Sequence, residues 1–187
     1  MFGLAWWIGQ AFGLIAFVGD TATFQVKTKR QILRVHTIAC LAWVFCYALI
    51  GGYTAMALMI LAGARIWGSY KLDKWSHHKQ LVMLLLLLAI AGVITAVTWH
   101  GWPSMFALTG WSLMTLSAWS KRAQEARFFG VAMALSWLVY DVALLSIFGI
   151  MSQAVIVTSN VIALTRFRKH QVTRHALSKS VVHTRRR

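Results

Sequence analysis

The sequence has few charged residues for its length. Of its 187 residues, 59% are hydrophobic and only 12% are charged. A soluble domain of average composition carries about 25% charged residues, which it needs to cover its surface. The composition therefore excludes an ordinary soluble domain and indicates a multi-spanning membrane protein. We expect an all-α, polytopic bundle of transmembrane helices.

Acidic residues are the scarcest charged group. Four Asp and Glu stand against 19 Lys and Arg, which gives a formal net charge of +15. In a soluble protein this excess would suggest nucleic acid. Here the cations lie in short segments between apolar runs, and membrane topology explains them better. We predict no nucleic-acid partner, and we expect the basic tail to bind anionic lipids of the bilayer.

Residues and motifs for metal, redox or hydrolytic chemistry are also scarce. Cys40 and Cys46 share one predicted helix and lie ~9 Å apart along its axis, too far for a disulfide between them. No His or Cys partner has metal-binding spacing, and His77–His78 is interpreted as a solvated loop pair. H-E-x-x-H, G-x-S-x-G and phosphate-binding loops are absent. We predict no metal, no cofactor and no enzymatic activity.

Apolar runs that are long enough to cross a bilayer follow one another along the whole chain. About 20 apolar residues span a ~30 Å hydrocarbon core. We predict seven spans, at about 4–24, 32–50, 53–70, 81–99 and 104–120, and in the two arms of Phe128–Arg168. The two arms are predicted to meet at a turn around Phe148–Gly149.

The positions of the cations predict the orientation. Segments 25–34, 71–80, 121–127 and the tail, with Arg65 and Arg166 at helix ends, hold all 19 Lys and Arg, and the intervening turns hold none. Positive charge is retained on the cytoplasmic side of a membrane protein. We therefore predict an outer N-terminus, an inner C-terminus and a multi-pass location in the cytoplasmic membrane.

The second half of the chain echoes the first. The matching features are Trp43 with Trp137, the Gly51–Gly52 turn with Gly149, and Arg65 with Arg166. Two helix triplets joined by one extra span must point the same way through the membrane, a 3+1+3 parallel repeat. The predicted units are a first triplet at 1–70, a loop and linker helix at 71–100, a second triplet at 101–168 and a disordered basic tail at 169–187.

Polar residues inside the apolar runs are candidate functional residues. Asp141 lies about 13 residues into the sixth span, so we expect it near mid-bilayer, with Thr158 at a similar depth and Asn160 deeper. A charged Asp there costs ~2.5–3.5 kcal/mol, so it should face the bundle interior. These residues form either a polar site or a hydrogen-bonded packing contact. Gln10 in the first span carries the same two interpretations, with packing favoured.

A second polar cluster is predicted near the inner face. Asp20, His36 and Arg65 lie at depths that agree within about one helical turn. One interpretation is an Asp20–Arg65 ion pair joined by His36. The other is that Arg65 extends to the lipid headgroups while Asp20 reaches water. The sequence leaves both open.

Several motifs, taken in their order, resemble one known family. The motifs are G-Q-x-x-G-x-x-A-F at Gly9–Phe17, F-Q-x-K at Phe24–Lys27, W-L-V-Y-D at Trp137–Asp141 and S-N-x-x-x-x-x-R-F at Ser159–Phe167. With Trp43, the glycine turn and Arg65, they resemble the bacterial inner-membrane YgjV-type family over nearly the whole chain to Arg168. That family is distantly similar to PQ-loop and SWEET-type transporters, whose three-plus-one-plus-three architecture agrees with the predicted spans.

The resemblance implies a protein that binds or transports a small solute between its two halves. The residues expected to contact the solute are Gln10, Trp43, Trp137, Asp141, Thr158 and Asn160. The sequence departs from the family pattern at Cys46, Met59 and Asp141, where His, Asn and Asn are expected, and it has no Pro-Gln pair. The alternative is a non-transporting structural or regulatory membrane protein. The solute and the number of chains that assemble are left open.

Overall fold

The computed structural model describes residues 3–23, 26, 28–72, 76–120 and 122–184. Seven helices make up this part of the chain: α1 (Leu4–Thr23), α2 (Lys29–Ile50), α3 (Tyr53–Leu72), α4 (His77–Val97), α5 (Pro103–Trp119), α6 (Ala123–Ala143) and α7 (Ile147–Thr184). No strand occurs among the described residues, in agreement with the all-α prediction.

Local sequence signals explain the ends of α2. The Thr28 hydroxyl accepts a hydrogen bond from the Gln31 backbone N–H at 3.3 Å, which caps the first turn. Gly51 follows the last turn with φ +85°, a left-handed conformation that glycine adopts without the Cβ clash of other residues. The Gly52 N–H then donates to the Tyr47 carbonyl at 2.7 Å. The tight turn into α3 that the sequence predicts at Gly51–Gly52 is therefore present.

The helices pack in two rows of three. α2 packs between α1 and α3, and α6 packs between α5 and α7. The contacts of α1 with α7 and of α3 with α5 join the two rows. In the described part of the chain α4 contacts α3 and α5 and no other helix. The core of the bundle therefore lies between the two rows, with α4 at its edge.

α4 presents one uncovered apolar face. Its exposed large apolar residues are Leu81, Val82, Leu85, Leu86, Ile90, Val93 and Val97. Leu87, Ala91 and Thr95 on the opposite side are buried against the bundle. A continuous apolar face without protein cover is the kind of surface that contacts acyl chains.

Three of the helices contain a stretch that is long and apolar enough to cross a membrane: His78–Val97, Gln124–Ala143 and Ile147–Thr165. Arg34–Ile50 and Tyr53–Ile66 are shorter apolar stretches. α1 has the length of a span but contains Gln10 and Asp20, and α5 has only 17 residues. Length and composition therefore identify three spans where the sequence pattern predicts seven.

Two predicted boundaries in the second half differ from the structure. The α6–α7 turn lies at 144–146, and Phe148–Gly149, predicted as the turn, belongs to the first turn of α7. α7 continues to Thr184. Residues 169–184, which the sequence predicts to be disordered, are therefore helical in the structure. The tail end at 185–187 and residues 24, 25 and 27 of the F-Q-x-K motif lie outside the described residues.

Candidate functional site

A cavity of about 330 Å³ lies between the two rows of helices. Every helix except α4 contributes to its wall. The polar and aromatic side chains that line it include Asp20, His36, Trp43, Arg65, Trp137 and Gln153. The lining positions lie near the carboxyl ends of α1 and α5 and in the middle of α6, so the cavity extends from one end of the bundle to its middle.

Asp20 forms a polar wall of this cavity together with residues of α2. The Trp43 indole N–H donates to Asp20 Oδ2 at 2.8 Å, and His36 Nδ1 lies 3.5 Å from Asp20 Oδ1. Asp20 and His36 are partly exposed, which fits a position at the cavity edge. Both partners of Asp20 come from α2. The Asp20–Arg65 ion pair considered from the sequence does not form.

Arg65 forms a separate basic wall. Its side chain is only 7% exposed, and Nη1 donates to the Thr115 hydroxyl on α5 at 3.1 Å. The guanidinium carbon lies 6.0 Å from the centroid of the Trp111 ring, within the range of a cation–π contact. The alternative in which Arg65 extends to the lipid headgroups is therefore wrong. The cation points into the bundle.

Stacked aromatic rings close the end of the cavity that lies toward the middle of the bundle. Trp43 stacks on Tyr47 with ring centroids 5.5 Å apart, and Tyr47 stacks on Trp137 at 6.1 Å. Tyr140 meets Trp137 edge-on at 5.8 Å. Offset and edge-to-face contacts of this kind stabilise aromatic clusters. Trp43 and Trp137 also line the cavity.

A polar layer lies behind the aromatic cluster, next to the α2–α3 and α6–α7 turns. The Tyr47 hydroxyl donates to Asp141 Oδ1 at 2.9 Å, and the Asp141 side chain is completely buried. The Tyr140 hydroxyl accepts from the Ala55 backbone N–H at 3.3 Å. These contacts connect α6 to α2 and α3. The two rows of helices are thus tied together at the end of the bundle opposite the cavity.

Comparison with known protein families assigns the chain. Residues 7–171 match the Imp-YgjV family model, which is described as a bacterial inner membrane protein. The chain belongs to this family. The matched range includes every residue that lines the cavity. It confirms the resemblance drawn from the sequence motifs, and with the apolar helices it confirms a multi-pass location in the bacterial inner membrane. Curated proteins and solved structures gave no match.

In this YgjV-family protein the polar residues predicted to form one site between the sixth and seventh spans lie in different parts of the bundle. Asp141 lies two residues before the end of α6, next to the turn, and not in the middle of a span. The exposed Thr158 bonds to the Ala154 carbonyl, and Asn160 bonds to the Ile156 carbonyl and packs beside Gly130. The predicted similarity in depth of Asp141 and Thr158 was wrong because the turn comes earlier than expected.

Two of the six residues predicted to contact the solute, Trp43 and Trp137, line the cavity. The other four residues make hydrogen bonds within the helix bundle: Gln10, Asp141, Thr158 and Asn160. The predicted inner-face cluster of Asp20, His36 and Arg65 lines the same cavity as the two tryptophans. The structure therefore joins parts of two predicted sites into one.

The sequence analysis did not identify Gln153 as a site residue. Gln153 lies in α7, is 7% exposed and lines the cavity. Its Oε1 is buried and has no hydrogen-bond partner among the described residues. A polar amide in an apolar helix is the same signal that singled out Asn160, so this residue was detectable. Its orientation toward the cavity was not.

Gln10 holds α1 against the α6–α7 turn. Its Nε2 donates to the Leu145 carbonyl at 3.2 Å, and its Oε1 accepts from the Ile147 backbone N–H at 3.0 Å. The side chain is buried, so Gln10→Ala removes both hydrogen bonds and leaves two partly buried backbone groups without this partner. We expect a loss of about 1–3 kcal/mol in the free energy of unfolding.

The measurement for Gln10→Ala is a thermal unfolding curve of the purified protein in detergent. Gln124→Ala, on the exposed start of α6, is the control and should melt like the wild type. Equal melting temperatures for the two variants would show that the Gln10 side chain does not hold the turn.

Proposed function

We propose that this protein binds a small solute in the cavity between its two rows of helices and moves it across the inner membrane. The observation that carries the proposal is the cavity itself. Its volume of about 330 Å³ lies at the lower end of ligand pockets, which hold about 300–1,000 Å³. It gathers Asp20, His36 and Arg65 inside an apolar bundle, and ionisable groups within membrane segments usually mark substrate or ion pathways.

A duplicated unit would supply the two halves of such a transporter. Four pairs of equivalent positions share the spacing of 94 residues that separates Tyr47 from Asp141: Lys29 with Ala123, Gly51 with Leu145, Gly52 with Ser146 and Tyr53 with Ile147. Gly51 and Leu145, one in each of the two equivalent turns, both have positive φ, at +85° and +53°. The Tyr47–Asp141 hydrogen bond joins equivalent positions, as expected on a pseudo-twofold axis.

The helix contacts support the same 3+1+3 proposal. Exchanging α1 with α5, α2 with α6 and α3 with α7 turns the α1–α7 contact into the α5–α3 contact, and both are present. The spacing of 94 residues pairs Arg65 with Ser159. The sequence analysis paired Arg65 with Arg166, so the two alignments differ at this position. Among the residues that the structure describes, a buried cation then reaches the cavity from the first half alone. The solute site would be asymmetric.

The proposed orientation makes this conformation open toward the cytoplasm. With seven spans and an outer N-terminus, the α2–α3 and α6–α7 turns lie at the outer face. The Tyr47–Asp141 layer would then close the outer side, while the cavity lies in the inner half. Transport would require this layer to separate, because the solute must reach the other face.

The rival proposal is a non-transporting structural or regulatory protein. Gln10 and Asp141 favour it, since both make helix-packing contacts away from the cavity. It does not explain why Arg65 and Gln153 both face a cavity. For either proposal we expect no enzymatic activity.

The test is thermal stabilisation of the purified protein by a panel of metabolites, followed by uptake of each stabilising compound into proteoliposomes. A ligand at about 100 times its Kd stabilises the folded state by ~2.7 kcal/mol, a measurable shift. Ala118→Trp places a large ring at a lining position on α5 and should abolish the shift. Ala96→Trp, on the exposed side of α4, is the matched control and should keep it.

Three outcomes decide the proposal. A compound that stabilises the wild type and Ala96→Trp, but not Ala118→Trp, and that enters proteoliposomes, supports it. A panel without any stabilising compound, or equal stabilisation of Ala118→Trp, contradicts binding in this cavity. Binding without uptake favours the regulatory rival.

A further inference from the structure

We propose that the cavity selects a small organic monoanion, whose carboxylate binds Arg65 and whose hydroxyl or amide N–H donates to Gln153. This inference rests on the proposed function, since it assigns a ligand class to the same cavity. It combines a buried cation, a buried acceptor without a donor, and aromatic walls, all of which face one space.

The structure shows no counter-charge for Arg65 among the residues it describes. Within the described residues, no carboxylate oxygen lies within 4.0 Å of the guanidinium. Its protein contacts are the neutral Thr115 hydroxyl and the Trp111 ring. A guanidinium has five N–H donors in a planar fork that matches a carboxylate, and a buried cation is unfavourable unless it is paired. A ligand carboxylate would supply that pair.

Gln153 sets the second requirement. The Gln153 side chain is more than nine-tenths buried and lies next to the Asp141 carboxyl, and its Oε1 accepts no hydrogen bond in the described structure. An amide oxygen can only accept, so the missing partner must be an O–H or N–H group. Because Gln153 and Arg65 line the same cavity from α7 and α3, one ligand with both groups could satisfy them together.

The remaining lining selects an apolar ligand body and disfavours a second negative charge. Trp43 and Trp137 offer flat rings, and methionines from three helices complete the wall: Met59, Met114 and Met133. Asp20 also lines the cavity, with both carboxylate oxygens engaged, by Trp43 and His36. A second ligand carboxylate near Asp20 would be repelled. The volume of about 330 Å³ lies at the lower end of the range for ligand pockets, so the ligand is small.

The test uses three probes of one shape: 4-hydroxyphenylacetate, its neutral amide 4-hydroxyphenylacetamide, and the cation tyramine. Binding to the full-length protein in lipid nanodiscs is measured by calorimetry. We expect the carboxylate to bind at least about 30-fold more tightly than the amide or the amine. Phenylacetate, which lacks the hydroxyl, should bind about 5-fold more weakly than 4-hydroxyphenylacetate, because the Gln153 acceptor then lacks a donor.

Variants assign the two contacts. Arg65→Gln should weaken binding of 4-hydroxyphenylacetate by about 30-fold or more, and Arg65→Lys should retain part of it. Arg34→Gln removes an exposed cation of α2 and should leave binding unchanged. Gln153→Leu should abolish the difference between 4-hydroxyphenylacetate and phenylacetate. If Arg65→Gln does not fold, the probe series and Arg65→Lys carry the test.

Three results would overturn the anion proposal: no binding of any probe, equal or tighter binding of the amide or amine, or unchanged carboxylate affinity in folded Arg65→Gln. Its failure can be separated from failure of the proposed function. A sugar or cation that stabilises the wild type but not Ala118→Trp would leave solute binding in place and refute only the anion preference.

Discussion

Gly149→Ala is expected to lower the free energy of unfolding by about 3 kcal/mol. A Cβ atom at this position would overlap the Asp141 carboxyl and lie 2.6 Å from the Ser146 hydroxyl oxygen. Both side chains are completely buried, and Tyr47 holds the carboxyl from the other row of helices. Relief of the clash must therefore move the α6–α7 turn or break the Tyr47–Asp141 hydrogen bond.

The comparison for Gly149→Ala is Gly63→Ala in α3, where an added Cβ would have no neighbour within 4 Å. There alanine should stabilise by ~0.5–1 kcal/mol, because glycine in a helix interior is entropically unfavourable. Both variants are measured by thermal unfolding in the same detergent. If Gly149→Ala were as stable as Gly63→Ala, the close approach of α7 to Asp141 would be refuted.

Trp137→Ala is expected to lower the free energy of unfolding by about 3–5 kcal/mol and to abolish solute binding. The side chain is 2% exposed, stacks on Tyr47 and meets Tyr140 edge-on. It also forms part of the cavity wall. Its removal would enlarge the cavity and take packing partners from both tyrosines. Trp137→Phe should keep part of the stability.

Thermal unfolding and the metabolite panel give the two measurements for Trp137→Ala. Trp99→Ala is the matched control, because Trp99 is 48% exposed at the start of the α4–α5 turn. It should shift the free energy of unfolding by no more than about 0.5 kcal/mol. A Trp137→Ala protein with wild-type stability and an unchanged ligand response would remove this residue from both the core and the site.

The limits of prediction are clearest at the α6–α7 turn. Sequence patterns located α1 to α3 to within about three residues, because charged segments and the Gly51–Gly52 pair interrupt the apolar runs. No such interruption separates α6 from α7. Gly149 looked like the turn residue, but Leu145 takes the positive φ and Gly149 allows close packing against Asp141. That shift displaced Asp141 from mid-span to the helix end.

The sequence predicted the ionisable residues of the candidate site but not their contacts. The rarity of ionisable groups in apolar runs singled out Asp20, His36 and Arg65, because such groups are unfavourable in lipid wherever the helices pack. Their partners did not follow from depth along a helix. Rise per residue places Asp20 and Arg65 at similar heights, yet rotation about the helix axes directs Asp20 to Trp43 and Arg65 to Thr115.

The amino-acid sequence by itself determined the membrane class, the seven helices and the family, because composition, apolar run length and motif order do not depend on how helices meet. The tertiary structure decided which side chains share a space. It brought Trp43, Trp137 and the three ionisable residues together with Gln153 in one cavity and placed Asp141 in the layer behind it. The physical reason is that helix rotation and turn position, which set these contacts, arise from packing between elements distant in sequence.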